Sequence, residues 1–395
     1  MIEVLFLPGW YPTKEKPLLG NFVQRHAECV SGLCNLTVLN LVPGNKSEVF
    51  AEQINHVRTI SSSFKKSNSA FLFLRPLYNS YSYLRAFIKG FRYFKKERGL
   101  PDIVHVNVGF PIGIFALMLK LFYSIPFVLT EHWSGYLPIN RRNIGFFKKF
   151  ISTAIIRKAS VIMPVSKSLG DAIIQFCNTR NPIRIVGNTF DTSIFFPITN
   201  KVKNTKKKLL HISTLDEKAK NVFGLLRTIK KLSQKRNDFE LHIINEYKSE
   251  PHIQLAMQLD LLDTCVFFHG PMASGDVAKM IQDADFFVLF SNYENLPVVL
   301  IESLACGIPV LATKVGGIEE LISPDRGMLI EAGDEEQLLH ALEQMIKHHE
   351  SYDSSSMSKF ASQNFAKDVI GRRIYEGYEM ALKKNKSKPL NEQRE

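Results

Sequence analysis

Residues 286–320 read FFVLFSNYENLPVVLIESLACGIPVLATKVGGIEE. The continuous apolar run at 286–290 predicts a strand buried on both faces. A loop at 291–296 carries Glu294, and Pro297 suits a first helical turn, where a missing N–H costs nothing. The helix continues over 298–305 with Glu302 on it, and Gly307 supplies the C′ stop. A second short buried strand follows at 309–312. Gly316-Gly317 then opens a further helix bearing Glu319 and Glu320. Glu294 and Glu302 thus stand on either side of one helix N-terminus. Its free N–H groups and positive dipole end suit a phosphate. Phosphate repels a carboxylate, so these glutamates are expected to address the neutral hydroxyls of a ribose or a sugar.

The Glu-x7-Glu spacing, the Gly-Ile-Pro-Val at 307–310 and the Gly-Gly-x-x-Glu at 316–320 resemble the donor site of the retaining family 4 glycosyltransferases. The resemblance implies the GT-B fold. That is an α/β architecture of two Rossmann-like, doubly wound domains facing a cleft, with a last helix crossing back to the N-terminal domain. Residues 1–199, with 369–395, would form the acceptor-binding domain, and 200–368 the nucleotide-sugar-binding domain. Glu302 would accept hydrogen bonds from the ribose. Glu294 would meet the sugar hydroxyls or the positive face of an oxocarbenium ion. Asn295, Leu296 and Pro297 would lie at the diphosphate.

Working outward, a strand at 3–7 runs through a loop containing Gly20 into a helix at 22–30, the first unit of a Rossmann-like half. A glycine here lets the backbone approach a ligand closely, and the resemblance makes Gly20 a candidate for the diphosphate. Arg25 and His26, in the first turns of that helix, are candidates for an anionic acceptor. Further strands are expected at 36–42, around 56–60, and at 161–165 and 183–186. The strand at 102–108 carries His105 and Asn107 near its C-terminal end, where open α/β sheets collect ligand groups. Both join the acceptor candidates. The strand at 127–130 ends in Thr-Glu-His-Trp-Ser-Gly. The resemblance gives His132 a contact with the donor sugar and a part in catalysis. No second carboxylate stands out in this half for a double displacement.

The polar, basic run at 200–208 marks the domain boundary. A strand at 209–212 then leads through Lys220 to a helix at 222–234. Family members usually carry Gly-Arg where Ser213-Thr214 stands here, so the phosphate load falls on Lys220, helped by Lys218, Thr214 or backbone N–H groups. Asn245-Glu246 likewise replaces a usual Gly-x-Gly. Phe268-His-Gly270 matches the turn that meets the nucleotide base. Asp283-Ala-Asp285 precedes a buried strand instead of ending one, so a capping role is expected. Neither metal nor cofactor is expected, the nucleotide sugar being a substrate.

The 395-residue chain carries a net charge of +12. Its five cysteines form no C-x-x-C pair, which fits a reducing compartment. The longest apolar stretch, 108–130, is broken by Pro111, Lys120 and Pro126 and does not read as a membrane span. A cytoplasmic protein is expected. Residues 61–100 hold nine basic residues against one acid, Glu97, and 140–158 hold six with no acid. Such patches imply an anionic partner. Leu84, Phe87, Ile88, Phe91 and Phe94 recur at helical spacing. The stretch 64–98 reads equally as an interfacial helix on the inner face of an anionic membrane or as a core-facing helix with a solvated basic side. The expected activity is transfer of a hexose-type sugar from a nucleotide diphosphate sugar to a hydroxyl of a glycan or lipid-linked acceptor, in polysaccharide or glycolipid biosynthesis. A nucleotide-sugar epimerase of the same fold is the alternative, as is a non-enzymatic anion- or nucleic-acid-binding protein. No nucleic-acid-binding module is present, and no nucleic-acid partner is expected.

Overall fold

Short buried apolar runs alternate with helices along the chain. In the computed structural model they build two sheets, one in each of two compact units. The structure describes residues 1–13, 16, 19–67, 74–199, 205–245 and 250–386. Residues 200–204 of the expected linker, Glu246 and the tail 387–395 lie outside the described residues, as do 68–73 of the basic aromatic stretch. The first unit comprises Met1–Val165, Leu169–Gly187 and Lys367–Glu395; the second comprises Ser166–Ser168 and Asn188–Ala366. The chain therefore changes unit at Gly187/Asn188, not at 199/200. Residues 188–199 are tied to the second unit by Thr189 Oγ1 donating to the Phe365 carbonyl (2.8 Å) and by Gln282 Nε2 donating to the Phe196 carbonyl (2.8 Å).

The first unit runs β1 (Glu3–Pro8), α1 (Asn21–Ser31), β2 (Asn35–Pro43), β3 (Val49–Ile54), β4 (Val57–Phe64), α2 (Arg75–Arg98), β5 (Ile103–Asn107), α3 (Gly113–Tyr123), β6 (Phe127–Glu131), α4 (Phe146–Lys158), β7 (Val161–Pro164) and α5 (Lys167–Cys177), the first two residues of α5 falling in the second unit. Its sheet order is β3-β4-β2-β1-β5-β6-β7, parallel except for β3. The expected strand around 56–60 is one arm of a β3–β4 hairpin. Its two turn residues, Asn55 and His56, both have positive φ, as tight hairpins require. The expected strand at 183–186 is not regular. It borrows alternate hydrogen bonds from β7, such as Arg184 N–H to the Ile162 carbonyl (2.9 Å).

Alternation along the strands fills two cores. Val4, Phe6, Val38 and Met163 meet α1 and the last helix, α14 (Lys367–Lys386), through Val23, Ala27, Ile370, Ile374 and Tyr378. A Cβ on Gly371 would overlap the Cys29 carbonyl, so α14 lies directly on α1. Leu39, next to Val38, points the other way and would collide with a Cβ on Gly90 of α2. Phe87 of α2 stacks on Phe115 of α3 at 4.0 Å, and Phe87, Phe91 and Phe94 are buried. The apolar stripe of α2 thus covers the sheet, and the interfacial reading of that stripe is corrected.

The second unit runs β8 (Lys207–Ser213), α6 (Glu217–Lys220), α7 (Val222–Ser233), β9 (Phe239–Asn245), α8 (Glu250–Gln258), β10 (Val266–His269), α9 (Ser274–Asp283), β11 (Phe286–Leu289), α10 (Val298–Ala305), β12 (Val310–Thr313), α11 (Ile318–Leu321), β13 (Gly327–Ile330), α12 (Glu335–His348) and α13 (Ser354–Phe365). The all-parallel order is β10-β9-β8-β11-β12-β13. Leu209, Leu241, Ile243, Val288 and Leu311 pack under α7 and α12. Asp283 and Asp285 tether β8: Asp285 accepts the Lys208 N–H at 2.7 Å and Asp283 pairs with Lys208 Nζ at 2.5 Å. In both sheets the strand order reverses beside the first strand, between β1 and β5 and between β8 and β11. Ligands bind beyond the strand ends at such switch points.

Candidate active site

In the second unit the switch point is made by the loop after β11 and the short α6 after β8. Two hydrogen bonds lock them together: Asn292 N–H to the Ala219 carbonyl (2.7 Å) and Asn292 Nδ2 to the Lys218 carbonyl (3.1 Å). That clamp brings Lys220 Nζ into an ion pair with Glu294 Oε1, with side chains only 17% and 11% exposed. Ser291 Oγ donates to the same oxygen at 2.9 Å. Pro297 is the N-cap of α10, and buried Glu302 lies one turn into that helix. Asn188 Nδ2 donates to the Leu296 carbonyl at 2.6 Å. The Gly-Gly turn backs this loop. Gly316 has φ +55°, and its Cβ would overlap the Glu294 carbonyl; Gly317 donates its N–H to the Asn295 carbonyl at 2.7 Å. Both glycines are therefore demanded by backbone-on-backbone contact. Glu320 accepts the N–H groups of Lys167 (2.8 Å) and Ser168 (2.9 Å), a bracing role. Thr214 is exposed and Leu215 takes a positive φ in the turn where the family's Gly-Arg would stand. Gly270 is exposed just past β10, with open space where a Cβ would stand.

In the first unit Gly20 is the N-cap of α1 with φ +70°. A Cβ there would lie 2.6 Å from the Trp10 carbonyl carbon, which fixes the loop after β1. His132 follows β6 and packs against Phe22 (4.7 Å) and His26 (5.1 Å) of α1. Its position is set by Glu131, whose buried carboxylate accepts the N–H groups of Gly109 (3.0 Å), His132 (2.9 Å) and Trp133 (2.9 Å). Burial pushes the Glu131 carboxyl up, against the lowering effect of those donors. The sequence reading overlooked Glu131. An acid closing a short strand that opens Phe-Val-Leu is its signal, since carboxylates are almost never fully buried unless satisfied. Beside this loop, Pro8, Trp10, Tyr11, Phe64, Lys66 and Tyr83 help to line a cavity of about 440 Å³ at the C-terminal ends of β1, β2 and β4.

Two of the acceptor candidates are corrected. His26 is fully buried, with Nε2 on the Gly187 carbonyl at 3.0 Å; burial lowers its pKa to about 4, so it is neutral. His105 has both ring nitrogens engaged, by the Tyr378 hydroxyl and by Thr130 Oγ1, each at 2.8 Å. It is a core histidine, held well below its usual pKa by burial. Asn107, on the same strand, is fully buried, but neither polar atom of its amide meets a partner among the described residues, so burial does not remove it as a candidate. Arg25 is half-buried in the second turn of α1. Among the described residues no cluster of three His, Cys, Asp or Glu side chains could hold a metal ion, and no helix is long and apolar enough to cross a membrane.

Residues 37–194 match the model of glycosyltransferase family 4, and residues 195–361 that of glycosyl transferases group 1. The fold matches a sucrose-phosphate synthase from Thermosynechococcus elongatus with a TM-score of 0.75 over 95% of this chain and 98% of that one, at 16% identity. The chain is a GT-B glycosyltransferase of the family 4 type. The glycosyltransferase is 27% identical over 293 residues to the N-acetyl-alpha-D-glucosaminyl L-malate synthase of Bacillus anthracis, spanning 70% of this chain and 73% of that relative. Anabaena HepE, solved in complex with UDP-glucose, matches with a TM-score of 0.72 at 17% identity, over 96% of this chain and 100% of that one. The enzyme assignment displaces the non-enzymatic alternative, and the named relatives are transferases and synthases rather than epimerases.

Proposed function

We propose that this glycosyltransferase moves a hexose-type sugar from a nucleotide diphosphate sugar to a hydroxyl of a glycan or lipid-linked acceptor, with retention at the anomeric carbon, in polysaccharide or glycolipid biosynthesis. The observation that carries the proposal is the Lys220–Glu294 pair beside the start of α10, with Glu302 buried on the same helix. As the C1–O bond breaks, the departing diphosphate gains charge. Lys220 and the free N–H groups at the helix start stabilise it. Lys220 shifts toward the phosphate, and Glu294 is released to the sugar hydroxyls or the oxocarbenium face. Glu302 accepts hydrogen bonds from the ribose, the backbone at Gly20 takes part of the diphosphate, and Gly270 meets the base. His132 contacts the sugar and serves turnover. HepE's complex with UDP-glucose supports a nucleotide-sugar donor. Glu302→Ala is expected mainly to weaken nucleotide binding, and His132→Ala mainly to lower kcat. Wild-type donor affinity and turnover in both variants would sink the assignment.

A further inference from the structure

Among the described residues several apolar side chains stay uncovered, including Leu77 and Tyr81 of α2, Leu121 and Phe122 of α3, and a cluster of phenylalanines on α4. At the start of α4, Phe146, Phe147 and Phe150 are 87%, 72% and 66% exposed, and Ile139 in the preceding turn is 57% exposed. Single exposed apolar residues need no explanation, but three phenylalanines on one helical turn do. The same segment, 140–158, carries Arg141, Arg142, Lys148, Lys149, Arg157 and Lys158 and no carboxylate. Arg141, Arg142 and Lys149 are exposed around the phenylalanines.

We infer that the start of α4, with Arg141 and Arg142 before it, docks the first unit on an anionic lipid bilayer. A bilayer supplies both things the patch asks for: headgroup phosphates for the cations and an acyl boundary for the phenylalanines. A second copy of the chain would instead set one all-basic strip against another, which is repulsive. Of the two basic stretches that composition singled out, 140–158 carries this patch, whereas the stripe of α2 within 61–100 is spent on the sheet. Its placement has a consequence for the acceptor. Lys148 Nζ turns inward over the Trp133 ring at 3.6 Å and the Phe110 ring at 5.4 Å. Trp133 adjoins His132, and Pro111, next to Phe110, lines the 440 Å³ cavity. Docking at α4 therefore brings that cavity to headgroup level, where a lipid-linked acceptor would present its hydroxyl. This consequence rests on the acceptor reading above; the docking itself does not.

The test is sedimentation of the full chain with phosphatidylcholine vesicles, with and without phosphatidylglycerol, across a salt series. Wild type is expected to bind only the anionic vesicles and to be released by salt. Phe146→Ser/Phe147→Ser/Phe150→Ser should abolish binding. Arg141→Gln/Arg142→Gln/Lys149→Gln should weaken it about a hundredfold, from roughly fivefold per surface charge removed. Both variants should melt with wild type, as these side chains are exposed. Wild type that ignores anionic vesicles, or variants that bind like wild type, would overturn the inference. So would a dimer in light scattering that the Phe variant abolishes, or oligonucleotide binding without vesicle binding. Failure of donor transfer would leave the vesicle result standing, so the two readings fail separately.

Discussion

Replacing Lys220 with methionine tests the centre of the donor half. The substitution leaves Glu294, 11% exposed, without its cation. Removing one partner of a fully buried pair costs about 3–5 kcal/mol. Here both side chains keep some solvent and Ser291 Oγ still donates to Glu294 at 2.9 Å, so about 2 kcal/mol is expected. For a unit of this size that lowers Tm by about 4–8 °C. Tryptophan fluorescence would miss the effect, because Trp10 and Trp133, the only two tryptophans, both belong to the first unit. Differential scanning calorimetry reads both units. Adding Glu294→Gln should restore most of the lost stability, since no uncompensated carboxylate remains, while transfer stays lost. A Lys220→Met protein melting like wild type would refute the energetic reasoning. A double variant that transfers sugar would refute the role of Lys220 at the phosphate.

Two other perturbations follow from packing. His26 is held neutral with a pKa of about 4, below its unfolded value of 6.5. Its contribution is thus complete above pH 6.5 and is lost as pH falls toward 4, by roughly 2 kcal/mol at pH 5. Urea unfolding followed by tryptophan fluorescence should show a lower midpoint at pH 5 than at pH 7, and His26→Asn should reduce that difference, with buried His105 of the same unit supplying what remains; a midpoint indifferent to pH in wild type would contradict it. Gly316→Ala, forced into a left-handed φ and into the Glu294 carbonyl, should weaken binding of the preferred nucleoside diphosphate by at least about tenfold, taking 1.4 kcal/mol or more of loop strain. Unchanged affinity by titration calorimetry would show that the loop does not hold the ligand.

The stretch 286–320 was legible because its causes are local: apolar runs, a proline at a helix start, glycines at a stop and a turn. What those glycines do was not legible, since the carbonyls they touch belong to the loop some twenty residues earlier. His105 looked like a ligand group because position along a strand says where a side chain sits, not what covers it. Its cover is Tyr378, 273 residues later. The Lys220–Glu294 pair likewise spans 74 residues. Glu131 read as an ordinary polar residue because its three N–H donors converge from two loops. The β3 strand escaped notice because, at the sheet edge, it alternates between half-buried and exposed positions and carries no buried run. The stripe on α2 was ambiguous for a different reason: a sheet and a lipid surface ask the same periodicity of a helix.

The chain passes between its two units at Val165/Ser166, Ser168/Leu169, Gly187/Asn188 and Ala366/Lys367. On a ribosome that order matters. The second unit's main segment, Asn188–Ala366, is complete before synthesis ends, whereas the first-made sheet must wait for Lys367–Lys386 to emerge and cover Phe6, His105 and Met163. A fragment ending at 187 would leave that face wet and His105 without the Tyr378 hydroxyl. One beginning at 188 would leave Glu320 without the amides of Lys167 and Ser168. Neither half can be obtained by a single cut, and the sheet that is made earlier finishes folding after the one made later.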